Sequence, residues 1–337
     1  MTEPLLSIRD LCVDYVTPNG PVRAVDRVSL DLHRGEILGL AGESGSGKST
    51  LAQAILRILP PPSVIRGGEV RFEGRDLLSL DETELRAVRW TRISMVFQSA
   101  MDALNPVLKV GAQIVDTLQA HTTMSTDEAH AKAATLIEQV GIPRDRVDAY
   151  AHQLSGGMRQ RVGIALALAL EPSLVILDEP TTALDVIVER EILSEIRQLQ
   201  RARGFAVLFI THDLTRMLQF SDRVAIMYAA RLSEVGPSGV IGTSPRHPYT
   251  QGLLRAFPSL HDEPGLVRRS IPGSPPSLAS APAGCRFAPR CELARDSCAT
   301  APIAMAEAAR GHWARCIRRD SWTRCGAASC WPARRAL

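Results

Sequence analysis

The sequence has few of the features that would point to a membrane-embedded or secreted protein. Its longest uncharged apolar run, near residues 162–170, is far shorter than the roughly 20 residues that a membrane-spanning helix needs. The N-terminus, Met1-Thr2-Glu3-Pro4, has no basic segment followed by an apolar core, which a secretory leader would require. We therefore expect a cytosolic chain that spans no membrane.

Aromatic residues are also scarce, at 4% of the chain, and none alternates with basic residues in a pattern typical of nucleic-acid binding. The net charge is only +3, and the positive excess lies in the Arg-rich tail after Pro264. A solvated tail explains this charge at least as well as contact with an anionic lipid or a nucleic acid. We expect no nucleic-acid partner.

Lysine is nearly absent, since it occurs only at positions 48, 109 and 132, whereas the other basic residues are arginine. This scarcity makes Lys48 informative. A compact ammonium can lie between phosphate oxygens where a broad planar guanidinium fits badly.

Cysteine is missing from residues 13–284, and six of the seven cysteines follow residue 284. In a reducing cytosol this clustering favours thiolate ligation of a metal over a disulfide framework. Four of these cysteines, separated by five, six and seventeen residues, form the candidate set: Cys285, Cys291, Cys298 and Cys316. Spacing alone leaves zinc, an iron–sulfur cluster and unligated thiols open, although the close pair typical of zinc sites is missing.

Apolar runs and predicted helices alternate along most of the chain, which indicates an α/β fold. Residues 37–41, 174–177 and 206–210 are continuous apolar runs typical of strands buried on both faces of a parallel sheet. After about Gly242 the composition shifts to Pro, Ala, Ser and Arg and strand signals fade. We predict a second, smaller module there.

A glycine-rich phosphate loop follows the first of these strands. Residues 42–49 fit the pattern G-x-x-x-x-G-K-S between a strand and a helix, so backbone amides should surround a triphosphate. Lys48 would contact the β- and γ-phosphates, and Ser49 would ligate Mg²⁺. The predicted nucleotide-binding residues of this segment are Gly42, Glu43, Ser44, Gly45, Ser46, Gly47, Lys48, Ser49 and Thr50.

Two carboxylates stand at the carboxyl end of the strand predicted over residues 174–177. Open α/β sheets bind their ligands at this edge. Asp178 can hold Mg²⁺ through water, and Glu179 can accept a proton from the water that attacks the γ-phosphate.

A second phosphate cradle lies at residues 154–160, Leu-Ser-Gly-Gly-Met-Arg-Gln. Adjacent Gly156 and Gly157 remove side-chain bulk, Ser155 supplies a hydroxyl donor, and the following apolar run predicts a helix whose N-terminus points to the same place. This segment is half of a binding site.

These motifs and their order resemble those of the ABC ATPases over about residues 5–240. The resemblance implies a P-loop nucleotide-binding domain with a RecA-like core and antiparallel β and helical subdomains, the helical one over about residues 99–170. In that family two such domains close head to tail, and the phosphate loop of one and the signature of the other enclose each ATP. The resemblance further implies that Tyr15 stacks on adenine and that His212 touches the γ-phosphate. It also implies that Gln98 lies near Mg²⁺ and the attacking water, and that residues 183–185, with Asp185, form the D-loop.

A subfamily is also indicated. Three segments are similar to the corresponding segments in the ATPase subunits of dipeptide and oligopeptide importers. They are Met158 in the signature, residues 104–106 (Leu-Asn-Pro) after Phe97-Gln98, and residues 245–250 (Pro-Arg-His-Pro-Tyr-Thr). The expected division is an ABC domain at 1–242 and a peptide-importer-type extension at 243–337. Members of the resembling subfamily carry a 4Fe–4S cluster at this cysteine pattern, so we favour a cluster over zinc, with Arg286, Arg290 and Arg315 offsetting its charge.

The resemblance implies an ATPase that binds MgATP and powers peptide import at the cytoplasmic face of the membrane. The implied partners are a second, different ATPase subunit, two permease subunits and, indirectly, an extracytoplasmic peptide-binding protein. The alternatives are an importer of nickel or another non-peptide, an ABC ATPase outside transport, and a subunit that binds ATP without hydrolysing it.

Overall fold

The structure is a computed structural model that describes residues 3–98, 104–182, 184–256 and 270–318. The chain forms two compact units. The first comprises residues 1–7, 31–37 and 71–210, and the second comprises 8–30, 38–70 and 211–337. Ala183 of the predicted D-loop, and Cys325 and Cys330, lie outside the described residues.

The first unit contains three parallel strands in the order β6-β7-β8, which are Ile93–Val96, Leu174–Asp178 and Ala206–Ile210. All fourteen of their residues are buried, because every position of a parallel strand covered on both faces meets apolar neighbours. The strands end together, with Asp178 opposite Ile210. The predicted strands at 174–177 and 206–210 are confirmed.

Within the described residues, the α-helices of the first unit are α2 (Glu82–Val88), α3 (Val110–His121), α4 (Thr126–Gln139), α5 (Gly156–Leu168) and α6 (Val186–Arg203). Ser125 caps α4, and Glu128 completes a capping box. Gly204, in the left-handed conformation, ends α6.

The second unit has a sheet in the order β11-β12-β10-β9-β3, formed by Ala306–Ala309, His312–Ala314, Arg231–Pro237, Arg223–Tyr228 and Ile37–Ala41. β3 is parallel to β9, and the remaining pairs are antiparallel. Its helices are α1 (Lys48–Leu56), α7 (Leu214–Phe220), α8 (Ser238–Thr243), α9 (Pro248–Ala256) and α10 (Asp296–Thr300).

A separate sheet has the strand order β2-β1-β4, from Gly20–Leu32, Leu6–Thr17 and Ser63–Phe72. The end of β4 pairs antiparallel with β5 (Arg75–Asp76). In β2 the later positions alternate between buried and more exposed residues, the pattern of a strand with one face on a core.

The helix after the phosphate loop ends at Leu56, because Arg57 adopts the left-handed conformation. One feature differs from what the sequence predicts. β11 and β12 lie in the region where strand signals fade: Ala-Glu-Ala-Ala and His-Trp-Ala contain no β-branched residue. Backbone pairing of β12 with β10, and of β11 with β12, makes them strands. None of the helices within the described ranges is long and apolar enough to cross a membrane.

Candidate functional site

The phosphate loop, residues 42–49, joins buried strand β3 to helix α1 in the second unit. Its glycines 42, 45 and 47 all have positive φ, a conformation that side chains disfavour. A Cβ atom on Gly42 would lie 2.2 Å from the Met227 carbonyl oxygen, and one on Gly47 would lie 2.2 Å from that of Ala24. The neighbouring backbone therefore requires glycine at both positions.

Lys48 is 6% exposed, and its ammonium stays within the phosphate loop. Nζ donates to the carbonyl oxygens of Gly42 at 2.9 Å and Glu43 at 3.0 Å. Helix α1 begins here after Gly47, which provides no side-chain cap to the first-turn amides. The loop thus combines a held cation with an uncapped helix N-terminus, an arrangement suited to a phosphate group.

Two further predicted residues lie in the second unit. The Tyr15 hydroxyl is 3.3 Å from Thr50 Oγ1, so the predicted adenine-stacking ring lies beside the first turn of α1. His212 is exposed and follows the end of β8 by two residues, as expected for a side chain that must reach a ligand.

The first unit brings together the predicted acid–base residues. Asp178 is the last residue of β7 and is 3% exposed. Glu179 follows with φ 48°, a strained conformation for a non-glycine residue. Gln98 Nε2 and Thr182 Oγ1 each lie 3.0 Å from Glu179 Oε2, so two donors hold this carboxylate in one orientation. The sequence analysis did not identify Thr182.

The signature segment, residues 154–160, leads into α5, which begins at Gly156. Exposed Ser155 is its N-cap, since its hydroxyl oxygen accepts the Met158 N–H at 3.2 Å. Asp185 likewise caps α6, accepting from the N–H groups of Ile187 at 3.0 Å and Val188 at 2.9 Å. Both predicted partner-facing residues thus have a local structural role.

The four predicted cysteines line one cavity of the second unit, together with His247, Phe287 and Ala288. None forms a disulfide. Burial, followed by the charges of the other thiols, raises the pKa of Cys291 to about 11 and that of Cys316 to about 12. These thiols are therefore protonated at neutral pH, and ligating a metal would release their protons.

The cavity brings together four thiols, which are ligands of the expected kind. Within the described ranges, no three His, Cys, Asp or Glu side chains are placed to hold a metal ion. The expected metal centre therefore stays a prediction.

The three arginines that were expected to offset a cluster's charge are bound elsewhere. Arg286 Nη2 donates to Asp26 at 2.6 Å, and Arg315 Nε donates to the Leu232 carbonyl oxygen at 2.9 Å. Arg290 forms an ion pair with Glu43 of the phosphate loop. Burial raises the pKa of Cys285, and the charge of Arg315 opposes that rise, so the expected charge compensation stays a prediction.

The sequence analysis also missed what holds residues 245–250. Buried Glu234 accepts the N–H groups of Arg246 and His247, at 3.0 Å for the latter. Burial lowers the pKa of His247 to about 3, so its neutral ring accepts the Tyr249 N–H at 3.1 Å. The signal available in the sequence was an acidic residue, Glu234, in the middle of a strand.

Two family models match the chain. The model described as "ABC transporter" matches residues 25–182, and that described as "Oligopeptide/dipeptide transporter, C-terminal region" matches residues 233–298.

Curated relatives match over most of the chain. The chain is 46% identical to the oligopeptide transport ATP-binding protein OppD of Bacillus subtilis, over 86% of this chain and 82% of the relative. It is 43% identical to the dipeptide transport ATP-binding protein DppD of the same organism, over 98% and 95%. It is 45% identical to the probable D,D-dipeptide transport ATP-binding protein DdpD of Escherichia coli, over 90% and 93%.

Solved structures share the fold. One is the dimeric, ADP- and Pi-bound ATP-binding cassette MJ0796, with a TM-score of 0.63 and 27% identity, covering 69% of this chain and 98% of that one. Another is cbiO1 from Clostridium perfringens, part of the transporter complex cbiONQ, with a TM-score of 0.62 and 26% identity over 71% and 91%. The expected ABC-type α/β fold is confirmed.

Proposed function

The chain belongs to the ABC transporter family, within the branch of dipeptide and oligopeptide transport ATP-binding proteins, and we propose that it hydrolyses ATP to power peptide import. The observation that carries this proposal is that each unit holds its own part of the chemistry, a phosphate loop in the second unit and an oriented carboxylate in the first. Lys48 is held within the loop by two carbonyl oxygens, and Glu179 is held by Gln98 and Thr182.

In the proposed mechanism the loop amides and Lys48 bind the triphosphate. The Ser49 hydroxyl, Asp178 and Gln98 would hold Mg²⁺, which supplies positive charge to the phosphate oxygens when bound. Glu179 accepts a proton from the attacking water, and its two hydrogen-bond donors keep the carboxylate aimed. Tyr15 would stack on the adenine, and His212 would contact the γ-phosphate.

A second ATPase subunit completes each site in this proposal. Ser155, Gly156, Gly157 and Asp185 would face the nucleotide of the partner subunit, and the partner's equivalent segment would face residues 42–50. The solved MJ0796 cassette is described as a dimer, which supports this arrangement. We expect a heterodimer, because peptide importers usually contain two different ATPase chains.

The ATPase pair would act at the cytoplasmic face of the membrane as a peripheral assembly, with two permease subunits and, indirectly, an extracytoplasmic peptide-binding protein. The full complex, reconstituted in vesicles, should import radiolabelled di- or oligopeptides in an ATP-dependent manner. A Glu179→Gln complex is the control. Uptake of nickel instead of peptides would select the alternative substrate, and ATP hydrolysis that is insensitive to permeases would reject a role in transport.

We also propose the division into an ABC domain at residues 1–242 and an extension at 243–337, with Cys285, Cys291, Cys298 and Cys316 holding a 4Fe–4S cluster. The support is that the four thiols line one cavity. A cluster there would act as a structural or regulatory brace, because no step of the proposed mechanism uses it.

Metal analysis tests the cluster. Anaerobically purified chain should contain about four irons and four sulfides. Cys291→Ser should lose them, whereas the matched Cys12→Ser should retain them, because Cys12 lies in β1 and is not among the residues that line the cavity. If the protein instead contained stoichiometric zinc, the cysteines would form a zinc site. If it were stable and contained no metal, the thiols would be unligated.

A further inference from the structure

The phosphate loop is contacted by residues that follow it by more than 200 positions. The backbone N–H of Glu43 donates to the Tyr249 hydroxyl at 3.0 Å. Arg290 Nη1 lies 2.9 Å from Oε2 and 3.2 Å from Oε1 of the Glu43 carboxylate. Both partners lie within residues 233–298, outside the segment that matches the ABC transporter model.

We propose that Tyr249 and Arg290 are positioning residues for ATP binding, which hold the phosphate loop through the backbone and the side chain of Glu43. This inference rests on the proposed ATPase function. It assigns to the C-terminal region a direct part in shaping the nucleotide site.

Arg290 is itself firmly held. Its side chain is 7% exposed; Nε donates to the Pro272 carbonyl oxygen at 2.8 Å, and Nη1 lies 3.2 Å from the Tyr228 hydroxyl. The guanidinium carbon lies 5.8 Å from the centre of the Tyr228 ring. A guanidinium fixed on several sides loses little further freedom when it binds a carboxylate, so it can fix Glu43 in turn.

Tyr249 is equally well placed. It is fully buried, and its ring packs against Tyr228 and Phe287, with centroids 4.5 Å and 5.4 Å away. Its hydroxyl reaches the loop from α9, whose start is fixed by the His247 ring. The Glu43 N–H therefore meets a rigid acceptor rather than water.

The contact between Arg290 and Glu43 also has an electrostatic effect on ATP binding. Glu43 places a negative carboxylate in a loop that must receive a triphosphate, and an unpaired carboxylate there would repel the ligand. Arg290 neutralises it within a partly buried site, where screening by solvent is weak. Loss of Arg290 should therefore weaken ATP binding through both misplacement of the loop and electrostatic repulsion.

Equilibrium ATP binding to the full-length chain tests the proposal. Arg290→Met should raise the Kd for ATP by about tenfold. Arg290→Lys retains the positive charge but not the forked guanidinium that can bind both carboxylate oxygens, so it should recover part of the lost affinity. Tyr249→Phe, which removes one hydroxyl and keeps the ring, should raise the Kd by about threefold. Arg310→Met, at an exposed hairpin turn, is the matched control and should leave the Kd unchanged.

A double-mutant cycle separates this role from general stability. In the Arg290→Met background, adding Glu43→Gln should lower the Kd again by about threefold, because the unpaired charge is removed. Thermal melts of the same proteins identify any variant that fails to fold. A folded Arg290→Met protein with wild-type Kd, or additive effects in the cycle, would overturn the inference. A wild-type chain that binds no ATP would instead overturn the proposed function.

Discussion

The two glycine-bearing segments of this molecule are built in different ways. In the phosphate loop the glycines have positive φ, and a Cβ at position 42 or 47 would collide with backbone oxygen atoms of the same chain. In the signature segment, Gly156 and Gly157 lie in the first turn of α5, an ordinary helical conformation. Backbone geometry therefore explains the first set of glycines, whereas at Gly157 the close approach is to a side chain, since a Cβ atom there would lie 2.6 Å from Val188 Cγ1.

Capping separates the two segments further. Helix α1 starts without a side-chain cap, whereas Ser155 caps α5. The Ser155 hydroxyl uses a lone pair to accept the Met158 N–H, which leaves its proton available to a ligand. The phosphate loop is thus shaped by its own chain, and the signature segment is a donor surface, with Ser155 exposed and residues 156–159 half-buried, that suits a ligand held by another molecule.

The largest expected effect concerns ATP hydrolysis, which in the proposed dimer needs the phosphate loop of one subunit and the signature segment of the other. Glu179→Gln should lower kcat for ATP hydrolysis by at least about 100-fold, because the general base is lost, while ATP binding is retained. The variant should accumulate as an ATP-bound dimer, which size-exclusion chromatography with light scattering would detect. Near-normal turnover would remove Glu179 as the base.

A substitution in the signature segment should act on the other subunit. In a mixed dimer, Ser155→Arg in one chain should lower hydrolysis at the partner's phosphate loop by at least about tenfold, since a donor is lost and a bulky side chain enters. Single-turnover assays in which Ser155→Arg and Lys48→Ala are placed in the same chain would silence that chain's own phosphate loop and so report hydrolysis at the partner's phosphate loop alone. Normal hydrolysis at both sites would contradict the difference between the segments.

Much of this site could be predicted from sequence because its motifs are local. The phosphate loop, Asp178-Glu179 and the α5 start each lie within eight consecutive residues, so spacing alone predicts their geometry. The Arg290–Glu43 pair could not be predicted in this way, because its members are separated by 247 positions and only the tertiary fold brings them together. Arg290 was noted for its place beside Cys291, and its buried surroundings direct it to the loop instead.

Stability should distinguish the two sets of glycines. Gly47→Ala forces a side chain into φ 101° with a Cβ 2.2 Å from the Ala24 carbonyl oxygen, so we expect a loss of about 3 kcal/mol in the free energy of unfolding. Gly156→Ala, in a helical turn, should leave stability unchanged or slightly improved. Urea unfolding followed by circular dichroism would compare them, and equal losses would remove the proposed distinction.

The smallest effect isolates the Ser155 hydroxyl. Ser155→Ala and the matched Ser125→Ala each remove the side-chain cap of a helix in the first unit, so each should lower the free energy of unfolding by about 1 kcal/mol. Only Ser155→Ala should also lower ATP turnover in the assembled dimer, because only that hydroxyl is proposed to face a nucleotide. If both variants retained full turnover, Ser155 would be a structural cap alone, and the donor surface would have to be formed by the amides of α5.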